Sequence, residues 1–493
     1  MNRSMIRYIL GCVVQIEGAL LLLPCIVALI YQEREGIYYC IVAGAALLIG
    51  AIISHNKPKE QVIYLKEGCV TTALSWIMLS IVGCVPFILT GEIPAFADAL
   101  FETISGFTTT GASILNDVEA LSHCSLFWRS FTHWIGGMGV LVFLLAIIPL
   151  SGGSNINLMR AESPGPSVGK LVPKVKHTAR ILYAIYIGLT VLEIILLIAG
   201  SMPLFDVFCT AFGTAGTGGF GIKNDSFAGY SPYLQWVVAI FMILFGVNFN
   251  MYYFLLFRNV KKAFNMEEVR GYFIIIAAAV GVIFVDLCGT AVNAATALRD
   301  AVFQVASIIT TTGFSSVDFN LWSQQCKVIL VLLMFVGACA GSTGGGIKVS
   351  RFQVLLKTVG KELDSYIHPK SIKKIKMDGK PIEHEVVRAI NVYFITFMIL
   401  FASSVFLISF EGKDLVTNFT AVAATINNIG PGLEMVGPTS NFSVFGTFSK
   451  YVLMFDMIAG RLELFPLLIL FHPAVWRDLH TTHRRWKRKR MEE

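Results

Sequence analysis

Charged residues are scarce in this chain: Asp, Glu, Lys and Arg make up only 14% of its 493 residues. Soluble globular domains carry about 25% charged residues, so the composition excludes an ordinary soluble protein. Pairs of the form C-x-x-C are also missing, although the chain has 10 cysteines. That absence argues against a zinc site or a thioredoxin-type motif, and it favours cysteines that act as small buried side chains.

Apolar residues are abundant instead, at 55% of the chain with a mean hydropathy of +0.68. Runs of about 20 apolar residues are long enough to cross a bilayer as helices. We expect an all-α polytopic membrane protein with spans at 8–31, 37–54, 69–89, 125–149, 180–201, 232–257, 272–292, 325–347, 388–410 and 447–472. The first run is as long as a full span, so we interpret it as a retained helix and not as a signal peptide.

Four segments between spans are too polar to cross the membrane, yet each contains a short apolar stretch that ends at a glycine motif. These segments are 94–123, 203–231, 294–323 and 413–446. If Gly111, Gly218, Gly313 and Gly430 are equivalent, they recur at intervals of 107, 95 and 117 residues, as expected of diverged internal repeats. The predicted organisation is two N-terminal helices (1–66), four helix, pore-helix, helix repeats (67–150, 178–258, 269–356 and 384–472) and a basic tail (473–493).

The distribution of basic residues predicts the orientation. With both termini in the cytoplasm, the inner segments hold thirty-one Lys and Arg residues and the outer segments hold six. Cytoplasmic loops of membrane proteins are enriched in these residues. All four glycine segments then enter the membrane from the outer side.

Irregular backbone at membrane depth is tolerated where it is buried in protein or lines a water-filled path. Four such turns can direct carbonyl oxygens at one axis, where they replace the hydration shell of a monovalent cation. A single glycine motif would be explained by helix packing, but four similarly placed copies favour conduction. The candidate ligands are Thr109, Thr110, Gly111, Gly216, Thr217, Gly218, Thr311, Thr312, Gly313, Asn428, Ile429 and Gly430.

Six motifs together resemble the Trk/Ktr/HKT superfamily of potassium transporters, in its TrkH/TrkG branch. They are Phe107–Ala112, His133–Gly139, Ala161–Pro166, Gly341–Lys348, Asn427–Gly432 and Gly460–Glu463. The resemblance implies K⁺ uptake without covalent chemistry, so the chain is not expected to be an enzyme. Some relatives have Ser in the first filter loop and favour Na⁺, whereas this chain has Gly111. K⁺ is therefore the expected ion.

The resemblance also implies a gate below the filter. The glycine-rich stretch 337–346 would interrupt the second helix of the third repeat, since so many glycines disfavour a regular helix. Its candidate gate residues are Gly341, Gly344, Gly345 and Gly346, together with Arg461 in the last span. A lone intramembrane charge is costly and usually functional. The alternative is that Arg461 pairs with Glu463 or Asp456 for packing alone.

By the same resemblance the protein is a homodimer in a prokaryotic plasma membrane, which is the inner membrane in a Gram-negative cell. A cytosolic TrkA-like nucleotide-binding subunit would dock on the inner loops, above all on 348–388 with its ten basic residues. The sequence shows no nucleotide site of its own, because the G-x-G-x-x-G at 216–221 lacks a βαβ context. The basic run 484–490 suits anionic membrane lipid better than nucleic acid.

Three alternative functions stay open from the sequence. A relative that carries Na⁺ would share the fold, and an accessory membrane subunit would lack its own pore. A membrane enzyme is the third, but no intramembrane catalytic constellation is visible.

Overall fold

The computed structural model describes residues 2–58, 63–137, 139, 175–289, 293–369 and 373–475. Helices dominate this part of the chain, as the sequence predicted. They are α1 (Arg3–Leu20), α2 (Leu22–Tyr31), α3 (Gly36–Ser54), α4 (Leu65–Thr90), α5 (Phe96–Phe107), α6 (His123–Gly137), α7 (Val175–Ala199), α8 (Leu204–Gly216), α9 (Pro232–Gly246), α10 (Phe249–Leu256), α11 (Val260–Phe264), α12 (Glu267–Leu287), α13 (Ala294–Ile309), α14 (Gln324–Val336), α15 (Val349–Ile367), α16 (His384–Ser409), α17 (Leu415–Ile426), α18 (Thr447–Arg461) and α19 (Phe465–Leu468).

Extended structure in the described residues is limited to one small hairpin between α15 and α16. Its strands β1 (Lys376–Met377) and β2 (Lys380–Pro381) are antiparallel, with Lys376 opposite Pro381. Short 3₁₀ turns complete the connections at Phe319–Leu321, Glu434–Val436, Phe442–Val444 and Ile469–Phe471.

The N-terminal helices form a unit that packs against the first repeat. Helices α1 and α3 approach closely at glycines: a Cβ on Gly11 would lie 2.7 Å from the backbone nitrogen of Ser54. Small residues allow such backbone approach between membrane helices. The loop after α2 then caps α6, because the Glu33 carboxylate accepts the backbone N–H groups of His123 (2.7 Å) and Cys124 (3.0 Å).

The multi-pass prediction is confirmed by six long apolar helices among the described residues. They are Arg3–Tyr31, Gly36–Ser54, Leu65–Thr90, Arg180–Ala199, Glu267–Leu287 and His384–Ser409. The last four of these begin the four expected repeats. Their exposed faces carry large apolar side chains such as Val285 and Phe406, which suits contact with lipid.

The second helices of the second, third and fourth repeats are shorter than predicted. Helices α9, α14 and α18 have 15, 13 and 15 residues, or roughly 20 Å at 1.5 Å per residue, whereas the hydrocarbon core is about 30 Å thick. The runs 232–257 and 447–472, each expected as one span, are therefore not continuous helices. A 91° bend separates α9 from α10, and α18 stops at Arg461, where Glu463 and Leu464 have positive φ.

The interruption in the third repeat was predicted and is present. Helix α14 ends at Val336, and α15 begins at Val349 after an irregular segment. Apart from Gly139, the part of the expected span 125–149 that follows Gly137 lies outside the described residues.

Four short helices occupy the interior between the long ones. Helices α5, α8, α13 and α17 have 12, 13, 16 and 12 residues, so none could cross a bilayer. Their last turns are enclosed by protein: Phe107, Ala215, Ile309 and Ile426 are each at most 1% exposed. The loops that follow these four helices therefore begin deep inside the molecule.

Candidate ion-conduction site

The four interior helices end in the same local structure. In each case a residue other than glycine adopts the left-handed conformation one or two residues after the helix ends. These residues are Thr109 (φ 57°), Thr217 (φ 53°), Thr311 (φ 59°) and Asn428 (φ 55°). Such a conformation costs a β-branched residue about 1–2 kcal/mol, and three of these four residues are threonine. The four loops therefore share one unusual local geometry.

One hydrogen bond closes each of these helix ends. The N–H of the next residue bonds a carbonyl five residues back: Thr110 to Ser105 (2.9 Å), Gly218 to Gly213 (2.9 Å), Thr312 to Ser307 (2.8 Å) and Ile429 to Ala424 (2.8 Å). This 6→1 bond is the Schellman closure of a helix C-terminus. Because the same hydrogen bond occurs in all four loops, it identifies equivalent residues in them without reference to the sequence.

The alignment corrects the predicted register of the second loop. Two residues after each left-handed Thr or Asn stands a glycine of positive φ, and in the second loop that glycine is Gly219 (φ 72°), not Gly218. Its counterparts are Gly111 (φ 77°), Gly313 (φ 89°) and Gly430 (φ 101°). Gly218 instead corresponds to Thr110, and Gly216 is still the last residue of α8.

These glycines bring the four loops into a closed ring. A Cβ built on each would meet the carbonyl oxygen that precedes the next loop's glycine: Gly111 meets Gly218 (2.0 Å), Gly219 meets Thr312 (1.9 Å), Gly313 meets Ile429 (2.1 Å) and Gly430 meets Thr110 (2.8 Å). The contacts run from the first loop through the second, third and fourth and back to the first. All four glycines line one cavity of about 220 Å³.

The side chains at the left-handed positions differ in their partners. The Thr109 hydroxyl is buried and has no hydrogen-bond partner in the described part of the chain. Thr217 donates to the Gly216 carbonyl (2.6 Å), and Asn428 donates to the Met457 carbonyl (2.9 Å). The Thr311 hydroxyl accepts the Gly345 N–H at 2.6 Å.

This last contact joins the third loop to the glycine-rich segment 337–348. The segment packs directly against the inner ends of the loops: a Cβ on Gly344 would lie 2.9 Å from the Thr310 oxygen, and one on Gly345 would lie 2.5 Å from the Asn427 oxygen. Gly337 (φ 72°) opens the irregular backbone. Of the predicted gate glycines, Gly344, Gly345 and Gly346 therefore lie against the loops, whereas the Gly341 carbonyl accepts the Phe249 N–H (3.1 Å) at the start of α10.

Arg461 reaches the same place from the end of α18. Its guanidinium donates to the carbonyls of Thr343 (2.9 Å) and Gly137 (2.9 Å), and also to that of Gly136. It thus joins the glycine-rich segment to the end of α6. The two carboxylates named in the packing alternative have other partners, because Glu463 pairs with Arg351 and Asp456 accepts from Ser404 (2.7 Å).

Several residues that the sequence did not single out hold the glycine-rich segment in place. The buried Glu268 carboxylate accepts the N–H groups of Ala340 (2.6 Å) and Ser350 (3.3 Å), one on each side of the glycines, and the Asn248 amide (3.0 Å). The Lys348 ammonium donates to the Gly344 carbonyl. In the sequence Glu268 stands beside Glu267, just before the span expected at 272–292, so nothing there distinguished it from an ordinary charged residue at a membrane surface.

A buried ion pair supports the outer side of the ring. Glu102 on α5 accepts the Arg129 Nε–H at 2.5 Å, and these side chains are only 1% and 3% exposed. Glu102 also accepts the Ile114 N–H (3.0 Å) in the first loop, and Arg129 donates to the Gly221 carbonyl (2.8 Å) in the second.

His133 lies one helical turn beyond Arg129 and contacts the same loop. Its Nε2 accepts the Phe220 N–H (3.3 Å), so Nδ1 carries the proton and donates to the Gly106 carbonyl (2.9 Å). Both ring nitrogens of His133 are thus occupied by backbone hydrogen bonds. The motif Ala161–Pro166 and the basic run 484–490 lie outside the described residues.

Comparison with known proteins confirms the predicted family. The family model for TrkH, described as a cation transport protein, matches residues 31–477. The Trk system potassium uptake protein TrkH of Salmonella typhimurium is 36% identical over 492 residues, covering 97% of this chain and 100% of that protein. The Trk system potassium uptake protein TrkG of Escherichia coli K12 is 32% identical over 496 residues, with the same coverage.

A solved structure agrees with the fold. The crystal structure of the potassium transporter TrkH from Vibrio parahaemolyticus matches with a TM-score of 0.87 at 30% sequence identity, covering 97% of this chain and all of that one. The family is one of transporters and not of enzymes. On this likeness over nearly its whole length, the chain belongs to the TrkH family of cation transport proteins.

Proposed function

We propose that this protein takes up K⁺ through the ring formed by its four interior loops. The observation that carries the proposal is the ring itself, in which the carbonyls of Thr110, Gly218, Thr312 and Ile429 each face the glycine of a neighbouring loop. Neutral carbonyl oxygens can replace the hydration shell of a monovalent cation. The family's named potassium uptake proteins support K⁺ as the ion.

Sodium transport by the same fold is the second candidate. It is disfavoured because all four ring positions are glycine in the corrected register, including Gly111 and Gly219. A side chain at any of them would meet a backbone oxygen of the next loop. An accessory subunit without its own pore is also disfavoured, because it would not require four loops with the same strained backbone conformation.

The segment 337–348 and Arg461 form the gate in this proposal. They lie against the inner ends of the third and fourth loops, and the guanidinium adds a positive charge that repels cations. Conduction then requires that the segment move away and that Arg461 release the carbonyls of Thr343 and Gly137.

The membrane arrangement and the partners follow the family. Both termini are placed in the cytoplasm by the charge asymmetry, so the ring opens outward and the gate faces inward. Two copies associate in the membrane, and a cytosolic TrkA-like subunit binds the basic region 348–388. Helix α15 lies in that region and directly continues the gate segment.

The proposal is tested by growth and by flux. The chain, expressed with the family's cytosolic regulator, is expected to restore growth of a K⁺-uptake-deficient cell at low external K⁺. In proteoliposomes, Gly111→Ser is expected to lower the K⁺/Na⁺ flux ratio about tenfold, because left-handed geometry alone costs a side chain about 1–2 kcal/mol. Gly281→Ser is the matched control, since a Cβ there meets no atom within 4 Å. Failure of growth, or an unchanged ratio in Gly111→Ser, contradicts the proposal.

A further inference from the structure

The second loop is the least able of the four to hold its own conformation. Between positions 216 and 221 it contains Gly216, Gly218, Gly219 and Gly221, and glycine loses the most conformational freedom when a chain becomes ordered. The first and third loops instead have threonines whose hydroxyls bond each other, as Thr108 does with Thr110 (2.8 Å). The second loop therefore depends on contacts from outside itself.

Those contacts come from one face of α6 in the neighbouring repeat. The Arg129 guanidinium lies 3.7 Å from the centre of the Phe220 ring and donates to the Gly221 carbonyl. The His133 ring also packs against Phe220, with ring centres 4.3 Å apart, and it accepts the Phe220 N–H. Together they fix the two residues that follow Gly219.

Glu102 fixes Arg129 in turn. Among the ion pairs of the described residues, Glu102–Arg129 is the one with both side chains below 5% exposed. A buried pair is oriented tightly when its remaining donors and acceptors are also satisfied. Glu102 meets this condition through Ser113 and Ile114 of the first loop.

The equivalent position in the third repeat lacks the charge. Nine residues before the ring glycine, the third repeat has Gln304 in place of Glu102. Gln304 donates to Ser316 in its own loop (3.4 Å). The third repeat therefore has no counterpart of the Glu102–Arg129 ion pair, which connects the first loop to the second.

We infer that Arg129, held by Glu102, is a positioning residue for ion selectivity: it fixes the Gly218 carbonyl by clamping Phe220 and Gly221. The inference rests on the proposed function of the ring. Arginine is suited to the task because its planar fork can bond a carboxylate and a carbonyl while its face stacks on an aromatic ring. Lysine can pair with Glu102 but cannot do all three.

The test is Arg129→Lys in proteoliposomes, measured as the K⁺/Na⁺ flux ratio. We expect the ratio to fall on the order of tenfold, which corresponds to one lost hydrogen bond from a charged donor. Lys450→Arg is the matched control, because the Lys450–Asp98 pair (2.6 Å) also joins an interior helix to a neighbouring helix but contacts no ring carbonyl. It is expected to keep the parent ratio.

A second variant tests the same inference if Arg129→Lys fails to fold. Glu102→Gln combined with Arg129→Gln removes both charges together, so neither is left buried and unpaired, and it is expected to lower the ratio as well. If both variants fold and keep the parent ratio while Gly219→Ser loses it, the clamp is refuted and the ring stands. If the parent itself does not prefer K⁺, the proposed function and the clamp both fail.

Discussion

Replacing Arg461 tests the proposed gate most directly. The Arg461 Nη1 donates to the Thr343 carbonyl (2.9 Å), and Nη2 donates to the Gly137 (2.9 Å) and Gly136 carbonyls. At a net value of about 1 kcal/mol for each of the two donor nitrogens, these contacts favour the closed arrangement by roughly 2 kcal/mol. Arg461→Ala should therefore raise the open fraction about thirtyfold, if the closed state predominates in the parent.

A lysine at this position separates the two ways in which Arg461 can act. Arg461→Lys keeps the positive charge, so a purely electrostatic barrier to cations would be preserved. Its single ammonium cannot span the carbonyls of Thr343 and Gly137 as a guanidinium does. We expect a flux between those of the parent and of Arg461→Ala.

The assay is K⁺ flux from proteoliposomes containing equal amounts of folded protein, with thermal unfolding measured in parallel. Arg299→Ala is the matched control, because Arg299 pairs with the adjacent Asp300 (3.1 Å) and contacts neither the gate segment nor a ring carbonyl. A folded Arg461→Ala protein with flux at or below that of the parent would refute the reasoning. If Arg461→Lys and the parent have equal flux, the positive charge alone accounts for the low flux of the parent, and the hydrogen bonds to the carbonyls do not contribute.

Two further predictions follow from single contacts. Thr311→Gly relieves left-handed strain but removes the acceptor of the Gly345 N–H, so basal flux should rise severalfold, as expected for a lost hydrogen bond of about 1 kcal/mol. Thr217→Gly relieves similar strain without touching the gate segment, and equal flux in the two variants would contradict the assignment. Burial opposes ionisation of Glu33, but hydrogen bonds from the Cys124 and His123 N–H groups outweigh it and lower its pKa. Glu33→Gln should cost about 1 kcal/mol of stability at pH 7. This cost should shrink as the pH falls below the ordinary carboxyl pKa of 4.5, because the hydrogen bonds that lower the pKa stabilise only the ionised carboxylate. An equal loss of thermal stability at pH 7 and at a pH below 4.5 would contradict this prediction.

The sequence was sufficient for those features that depend on composition and repetition. Low charge and long apolar runs predicted the helical membrane fold, and the threonines before Gly111 and Gly313 marked two loops in the right register. The second loop was placed one residue out, because its many glycines give no way to choose between Gly218 and Gly219. In the structure, Gly219 is identified as the ring glycine by its positive φ and by the hydrogen bond from the Gly218 N–H to the Gly213 carbonyl. Neither feature can be inferred from residue composition.

Breaks in the second helices were harder to predict than the loops. Only the third repeat carries a run of glycines that disfavours a helix. In the second repeat the chain stays apolar across the bend, and Asn248 is the local signal, since its side chain accepts the Asn250 N–H and starts α10. In the fourth repeat Arg461 itself marks the end of the helix. These breaks depend on tertiary contacts that no single segment contains.

The use of threonine at the left-handed positions has a structural reason that glycine cannot supply. Glycine would adopt that conformation without strain, yet three of the four loops have threonine there. In the third repeat the added hydroxyl connects a ring loop to the glycine-rich segment, because Thr311 accepts the Gly345 N–H. The strain of about 1–2 kcal/mol accompanies this contact. In the proposed function, movement of the glycine-rich segment would change the surroundings of a ring loop, so selection and closure would be coupled at Thr311.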